Sequence, residues 1–252
     1  MGGRTSGQEL KGSGQSAGRS LLLPAARPSV LIILAVCVLV LTVQSVWIRH
    51  GMETSWVDAT VNAKVVACLG GHPLLLAMLV WPGEPVPFTA LAAVLVLACL
   101  LRRRYAAAAL LAISVPLATV ATELVLKPLI GGTSWGNPFP SGHVTSVVAL
   151  ATALTVLLTG PPRRLRFALA GTAFLMAGAV ALGVIGARMH HFSDTIGGAA
   201  VGLGTVLATA LILDLLISTR HRQHRDEGQA HGPEGRSGRL ATDTEMGQGL
   251  RH

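Results

Sequence analysis

Two short polar segments carry the side chains best suited to chemistry in this 252-residue chain. The first is Pro-Ser-Gly-His at residues 140–143, where Ser141 suits a helix N-cap and Gly142 lets an anion approach the backbone closely. Because the amides and dipole of a helix N-terminus bind phosphate, we expect a phosphate site here, with His143 placed to exchange a proton. Taken alone, the tetrapeptide also fits an ordinary helix cap followed by an interfacial histidine.

The second segment, residues 188–194, reads Arg-Met-His-His-Phe-Ser-Asp. If a helix begins near His190, His190 and Asp194 lie one turn apart on the same face. A carboxylate bonded to one ring nitrogen leaves the other nitrogen basic, which suits a nucleophilic histidine. In the competing interpretation Asp194 caps a helix that begins at Thr195, and His191 is the rival nucleophile. The sequence leaves both alternatives open.

A third polar position, Lys127, ends an apolar run, and Glu123 precedes it by one helical turn. A glutamate placed four residues before a lysine can pair with it on one helix face. The alternative is a lysine that extends from a helix end towards the membrane surface.

The composition indicates an integral membrane protein. Hydrophobic residues make up 51% of the chain and charged residues only 13%, whereas soluble domains carry roughly a quarter charged residues. The net charge is +8, but the basic residues cluster in tails and short loops, which favours control of membrane topology over nucleic-acid binding. The cysteines lie in apolar stretches without metal-ligand spacing.

Apolar runs of bilayer length predict an all-α, polytopic membrane helical bundle with six transmembrane helices. The runs cover residues 29–48, 86–101, 106–126, 142–159, 167–187 and 195–217. We assign residues 58–81 to interfacial or re-entrant helices between the first and second spans. This assignment places every arginine cluster on the cytoplasmic side, as the positive-inside rule requires.

This topology predicts a six-span domain at residues 29–217 of a cell-membrane protein. Residues 1–28 and 218–252 are polar and are expected to form disordered cytoplasmic tails. The tryptophans, which prefer membrane interfaces, all fall at or beyond the outer boundary; they are Trp47, Trp56, Trp81 and Trp135. The three polar segments then share the extracytoplasmic face.

Over residues 86–217 the chain resembles the type-2 phosphatidic-acid phosphatase superfamily of membrane lipid phosphatases. Lys127 corresponds to the lysine of the first motif of that family, and residues 140–143 correspond to its Pro-Ser-Gly-His motif. His190 and Asp194 match the His-x-x-x-Asp ending of the third motif.

The resemblance implies a two-step phosphoryl transfer that needs no metal or other cofactor. The substrates it implies are lipid phosphates or pyrophosphates, such as phosphatidic acid or undecaprenyl diphosphate. His190 would form a phosphohistidine, Asp194 would orient it, and His143 would protonate the leaving group. The non-bridging oxygens would be held by Lys127, Arg188 and the amides near Ser141 and Gly142.

Two departures from the family pattern remove expected phosphate-binding arginines. The first motif has Ser134 and Trp135 where an Arg-Pro pair is usual, and the third has Gly183 and Val184 where Ser-Arg is usual. Losing one bidentate charged contact can cost on the order of 10²-fold in rate. Arg188 is expected to supply one of these charges from a different position.

Three other functions compete with hydrolysis. A phosphotransferase would use the same intermediate, with an acceptor hydroxyl in place of water. A non-catalytic phospholipid-binding protein would explain the missing arginines, but it would need neither nucleophile nor acid. A transporter or channel is disfavoured, because the sequence shows no inverted repeat or mid-membrane ion site. His143, His190 and Asp194 together favour catalysis.

Overall fold

The computed structural model describes residues 21–22, 24–50, 55–131, 139–158 and 162–230. Within these ranges the chain forms α-helices, short 3₁₀ turns and one π-helical turn, and no strand. The helices are α1 (Arg27–Arg49), α2 (Trp56–Leu69), α3 (Pro73–Val80), α4 (Pro85–Leu101), α5 (Tyr105–Val120), α6 (Lys127–Gly131), α7 (Gly142–Leu157), α8 (Arg163–Gly186) and α9 (Phe192–Ala230). The all-α prediction is therefore confirmed for the described chain.

Within the described part of the chain, four helical stretches are long and apolar enough to cross a membrane: Arg27–Arg49, Tyr105–Ile130, Arg163–Gly186 and Phe192–Thr219. A fifth candidate is the α2–α3 pair, which is bent by 117° at its break. The remaining two apolar helices, α4 and α7, have 17 and 16 residues. Because both are short for a bilayer crossing, the count of six spans stays a prediction.

The bend between α2 and α3 falls where the sequence predicts interfacial or re-entrant helices. Gly70 and Gly71 precede Pro73, which starts α3 because proline fits the first helical turn and not the interior. Both helices pack against α8, and α2 also contacts α9. A broken span would have the same shape, so the interfacial assignment also stays a prediction.

The centre of the bundle is α7, which packs against α5, α8 and α9. Every residue of α7 from Val144 to Ala153 is buried. Its contact with α9 is very close, because a Cβ atom added at Gly198 or Gly202 would overlap the α7 backbone. This contact fixes the start of α7 against the start of α9.

Both tail boundaries differ from those expected. The backbone amides of Leu21 and Leu22 donate to the buried carboxylate of Asp214, at 2.6 and 3.1 Å, and Arg27 lies 3.9 Å from it. A buried carboxylate needs such donors, so residues assigned to the disordered N-terminal tail are ordered here. At the other end, α9 continues past residue 217 to Ala230.

Candidate active site

Lys127, His143 and His190 line one cavity of about 870 Å³, together with Glu123 and Gly142. The two imidazole rings lie with their centroids 6.2 Å apart and their planes at 67°. Residues from three separate sequence segments therefore meet around one cavity at one end of the bundle.

Main-chain hydrogen bonds set the distance between the two histidine segments. The Ser141 amide donates to the Asp194 carbonyl at 3.0 Å. The Thr145 hydroxyl donates to the Ser141 carbonyl at 2.9 Å, and the Thr122 hydroxyl donates to that of Thr145 at 3.2 Å. These bonds join α7 to α9 and to the π-helical turn Ala121–Leu126.

Asp194 lies at the centre of the His190 segment. Because α9 begins at Phe192, Asp194 lies in its first turn, and the expected helix start at Thr195 is not observed. Its carboxylate accepts a hydrogen bond from the His191 amide at 2.7 Å. The same Oδ2 atom lies 3.7 Å from His190 Nδ1 and 3.5 Å from His191 Nδ1. Asp194 therefore accepts the amide of His191 from inside the first turn of α9 and adjoins both imidazoles, whereas its expected role as the cap of a helix beginning at Thr195 is wrong.

The two histidines differ in their surroundings. His190 is the more buried, with 9% of its side chain exposed against 42% for His191. His190 lines the main cavity with Lys127 and His143 and also borders a neighbouring cavity of about 340 Å³. His191 lines this neighbouring cavity but is not among the residues that line the main one. The geometry thus favours His190 over His191 as the group that meets a phosphate in the main cavity.

Lys127 forms the pair with Glu123 that their spacing suggests. Its Nζ atom lies 2.8 Å from each carboxylate oxygen of Glu123. The same carboxylate lies against Gly142, where an added Cβ would collide with Glu123 Oε1. Gly142 thus permits an anionic group to reach the backbone, and in this structure that group is the Glu123 carboxylate.

His143 has a carboxylate neighbour that the sequence did not indicate. Its Nε2 atom lies 3.5 Å from Glu84 Oε1, on the residue that precedes α4. Gly83 lies against the His143 ring, and an added Cβ there would lie 3.1 Å from His143 Cβ. Residues 83–84 thus orient the ring at the mouth of the cavity.

Two residues expected to bind phosphate do not line the main cavity. Ser141 is fully buried, and its hydroxyl neither caps α7 nor bonds to any described residue. The expected side-chain cap is therefore wrong, because Ser141 is held through its main chain. Arg188 has a φ of 59° and lines the neighbouring cavity with His191 and Asn62. Ser134 and Trp135 lie outside the described residues.

Away from its polar end, the main cavity is apolar. It continues between α4 and α5, past residues such as Phe88, Ala92, Val96, Val115 and Leu100. From Phe88 to Leu100 the rise along α4 is about 18 Å. The cavity thus has the shape of a slot for a long apolar chain that ends at the histidines.

Three polar residues that contact the His190 segment were missed. Asp58 Oδ1 accepts from the Ser193 amide at 2.8 Å, Asn62 Oδ1 accepts from the Phe192 amide at 3.1 Å, and Gln44 Nε2 donates to the Ser193 carbonyl at 3.1 Å. The one available signal was the Ser-x-x-Asp capping box of Ser55 and Asp58, which marks a helix start but not its distant partner. Within the described ranges, no group of three His, Cys, Asp or Glu side chains could hold a metal ion.

The model of the PAP2 superfamily matches residues 126–217. This segment of the chain belongs to the PAP2 superfamily. This result confirms the resemblance, and the matched segment contains Lys127, residues 140–143, His190 and Asp194. No curated protein and no solved structure matches the chain. The PAP2 match leaves out α1–α5, and with them Asp58, Glu84 and the α4 and α5 walls of the cavity.

Proposed function

We propose that this PAP2 protein is a membrane phosphatase of lipid phosphates or pyrophosphates, of the phosphatidic-acid or isoprenoid-diphosphate type. The main cavity supports this proposal, because its apolar length ends at Lys127, His143 and His190. A soluble phosphate ester would need no apolar slot, whereas a lipid would bury its chain between α4 and α5 and present its head group to the histidines.

His190 is the proposed nucleophile. Since its Nδ1 atom lies beside Asp194, Nε2 is the nitrogen available to attack phosphorus. The N–P bond forms as the bond from phosphorus to the leaving oxygen breaks. Protonated His143 gives its proton to that oxygen, which leaves as a lipid alcohol or lipid phosphate.

Water completes the proposed cycle. It attacks the phosphorus in line with the N–P bond, and neutral His143 accepts its proton as phosphate leaves His190. Glu84 adjoins His143 Nε2 and keeps the ring oriented in both steps. If an alcohol replaced water at this stage, the protein would be a phosphotransferase, which is the closest alternative.

Lys127 is the proposed phosphate-binding cation, and Gly142 the point of closest backbone approach. Lys127 is the only lysine or arginine among the described residues that line the main cavity. A substrate phosphate must therefore compete with Glu123 for the Lys127 ammonium. Arg188 lines the neighbouring cavity, which His190 also borders, and would act on charge in the His190 segment from outside the main cavity.

The pairing of Lys127 with Glu123 favours one second candidate, a non-catalytic phospholipid-binding protein. With its main-cavity cation already neutralised, the site attracts a dianionic phosphate less strongly. The proximity of His143 to His190 argues for catalysis, because a binding protein needs no acid beside a nucleophile.

In either case, the proposed site faces outward in the cell membrane, and both tails are cytoplasmic. Arg102, Arg103 and Arg104 follow the end of α4 that is remote from Glu84. Arginine-rich loops stay in the cytoplasm, so the histidine end of the bundle lies on the extracytoplasmic side.

Phosphate release from detergent-purified protein in EDTA tests the catalytic proposal, with a panel of lipid phosphates as substrates. We expect His190→Ala and His143→Ala to lower kcat by about 10³-fold or more, since they remove the nucleophile and the acid. His191→Ala is the matched control and should keep most of the activity. After incubation with a ³²P-lipid, wild type should carry a protein-bound radiolabel that is stable in alkali and lost in acid, as expected of phosphohistidine. His190→Ala should carry no such label. Equal phosphate release by wild type and His190→Ala would contradict the mechanism.

A further inference from the structure

The start of α9 is held by α2, a helix that lies outside the PAP2 match. Asp58 and Asn62 are four residues apart, so they project from the same face of α2. Asp58 is 98% buried, with 2% of its surface exposed, although it belongs to a helix with mostly exposed or half-buried residues. A buried carboxylate is costly unless its hydrogen bonds are satisfied, and these are.

Each oxygen of the Asp58 carboxylate has its own partners. Oδ1 accepts from the Ser193 amide at 2.8 Å. Oδ2 accepts from the amide and hydroxyl of Ser55, at 3.2 and 3.0 Å, and so completes the capping box that starts α2. One carboxylate thus joins the N-terminus of α2 to the N-terminus of α9.

Asn62 completes the contact, since its Oδ1 accepts from the Phe192 amide at 3.1 Å. The first amides of a helix have no acceptor within the helix. In α9, Asn62 and Asp58 bind the amides of Phe192 and Ser193, while Asp194 binds that of His191. We call Asp58 and Asn62 together the α2 clamp.

We propose, building on the catalytic function above, that the α2 clamp positions His190 for attack. The clamp fixes the two residues between the histidines and Asp194, so it sets where the imidazole stands in the cavity. It also leaves the Asp194 carboxylate beside the two imidazoles, because the amides of Phe192 and Ser193 have other acceptors. Asp58 and Asn62 are positioning residues and line no part of the main cavity.

The effect on rate follows from geometry. A shift of about 1 Å in a reacting group can cost on the order of 10²-fold in rate. Lys127, Gly142 and the apolar slot make no contact with the clamp, so substrate affinity should be preserved. Loss of the clamp therefore lowers kcat per folded molecule and leaves KM nearly constant.

Two pairs of variants test the clamp in the full-length protein, with phosphate release from a long-chain lipid phosphate as the assay. Asp58→Ala and Asn62→Leu remove the acceptors, and kcat should fall by about 30- to 100-fold with KM changed by less than about 3-fold. Asp58→Asn and Asn62→Asp each keep an oxygen facing the same amide. The logarithm of their loss in kcat should therefore be at least a third smaller than that of Asp58→Ala and Asn62→Leu. Thr60→Ala, an exposed change on the same helix, is the control and should match wild type.

Hydrogen exchange of the Phe192 and Ser193 amides tests the contact without reference to activity. Exchange should be at least about 10-fold faster in Asp58→Ala and Asn62→Leu than in wild type or Thr60→Ala, because these amides lose their acceptors. If wild type released no phosphate from any lipid, the proposed function would fail while the exchange result still decided the clamp. Unchanged exchange in Asp58→Ala and Asn62→Leu would refute the clamp. Faster exchange with unchanged kcat would refute its role in positioning His190, and so would a raised KM with unchanged kcat.

Discussion

The α7–α9 pair and the α4–α5 pair are packed in opposite ways. Gly198 and Gly202 bring α9 against the backbone of α7, and the Ser141 amide reaches the Asp194 carbonyl. Between α4 and α5, in contrast, a large apolar cavity remains open. The close pair carries the proposed reacting groups, and the open pair carries the proposed lipid slot. Chemistry and lipid recognition are thus assigned to different helix contacts.

The PAP2 match follows this division only in part. It contains both helices of the close pair, but of the open pair it contains neither α4 nor α5. His143 and His190 therefore lie within the matched segment, whereas the α4 and α5 walls of the slot lie outside it. We expect substitutions in the two pairs to change different kinetic parameters.

The largest effect should come from filling the close contact. Gly198→Val adds atoms where a Cβ already overlaps the Ser141 carbonyl, so α7 and α9 must separate. Overpacking of this kind costs about 1–3 kcal/mol or more, and separation moves His143 away from His190. We expect activity to fall by about 10³-fold on every lipid, together with a lower Tm.

Gly178→Val is the matched control for that change. It lies in α8, and a Cβ added there meets nothing within 4 Å. Its Tm and activity should stay close to those of wild type. Equal losses in the two variants would show that the close α7–α9 contact has no special importance.

An intermediate effect should come from Lys127, which lies where the open pair meets the close pair. Lys127→Met removes the main-cavity cation, and kcat/KM should fall by about 10²-fold on long-chain and short-chain lipid phosphates alike. Lys64→Met, an exposed change on α2, controls for loss of surface charge. A loss restricted to long-chain lipids would assign Lys127 to chain recognition instead.

The smallest effect should come from filling the slot. Ala92 lines the cavity, so Ala92→Trp should obstruct a long chain and lower its kcat/KM by about 10-fold, while a six-carbon diacyl substrate keeps its rate. Ala98→Trp adds the same side chain to an exposed position of α4 outside the cavity and serves as the control. Equal losses on long and short chains would mean that the slot holds no lipid chain.

The sequence predicted those features that depend on local spacing or on the membrane. Apolar runs located the helices to within a few residues, except at the end of α9, which continues from residue 217 to Ala230. The spacing of Glu123 and Lys127 predicted their pair. Charge placed Lys127, His143 and His190 at one end of the bundle. Each of these inferences uses either a helical period or the positions of arginines, and both are visible in the sequence.

The remaining features depend on contacts between distant residues. Asp58 meets Ser193 across 135 positions, and Asn62 meets Phe192 across 130, so no local pattern links them. Arg188 adopts a positive φ and lines the neighbouring cavity, although the resemblance implied that it holds phosphate together with Lys127. The direction of a loop residue is set by backbone turns that composition does not encode.

The hydrogen bond from the Ser141 amide to the Asp194 carbonyl also bears on how such a protein can diverge. It joins main chain to main chain, so no side-chain replacement deletes it, short of a proline at position 141. Side chains around the cavity can therefore be exchanged while the spacing of the two histidine segments stays the same. Main-chain bonding makes this spacing insensitive to side-chain substitution nearby.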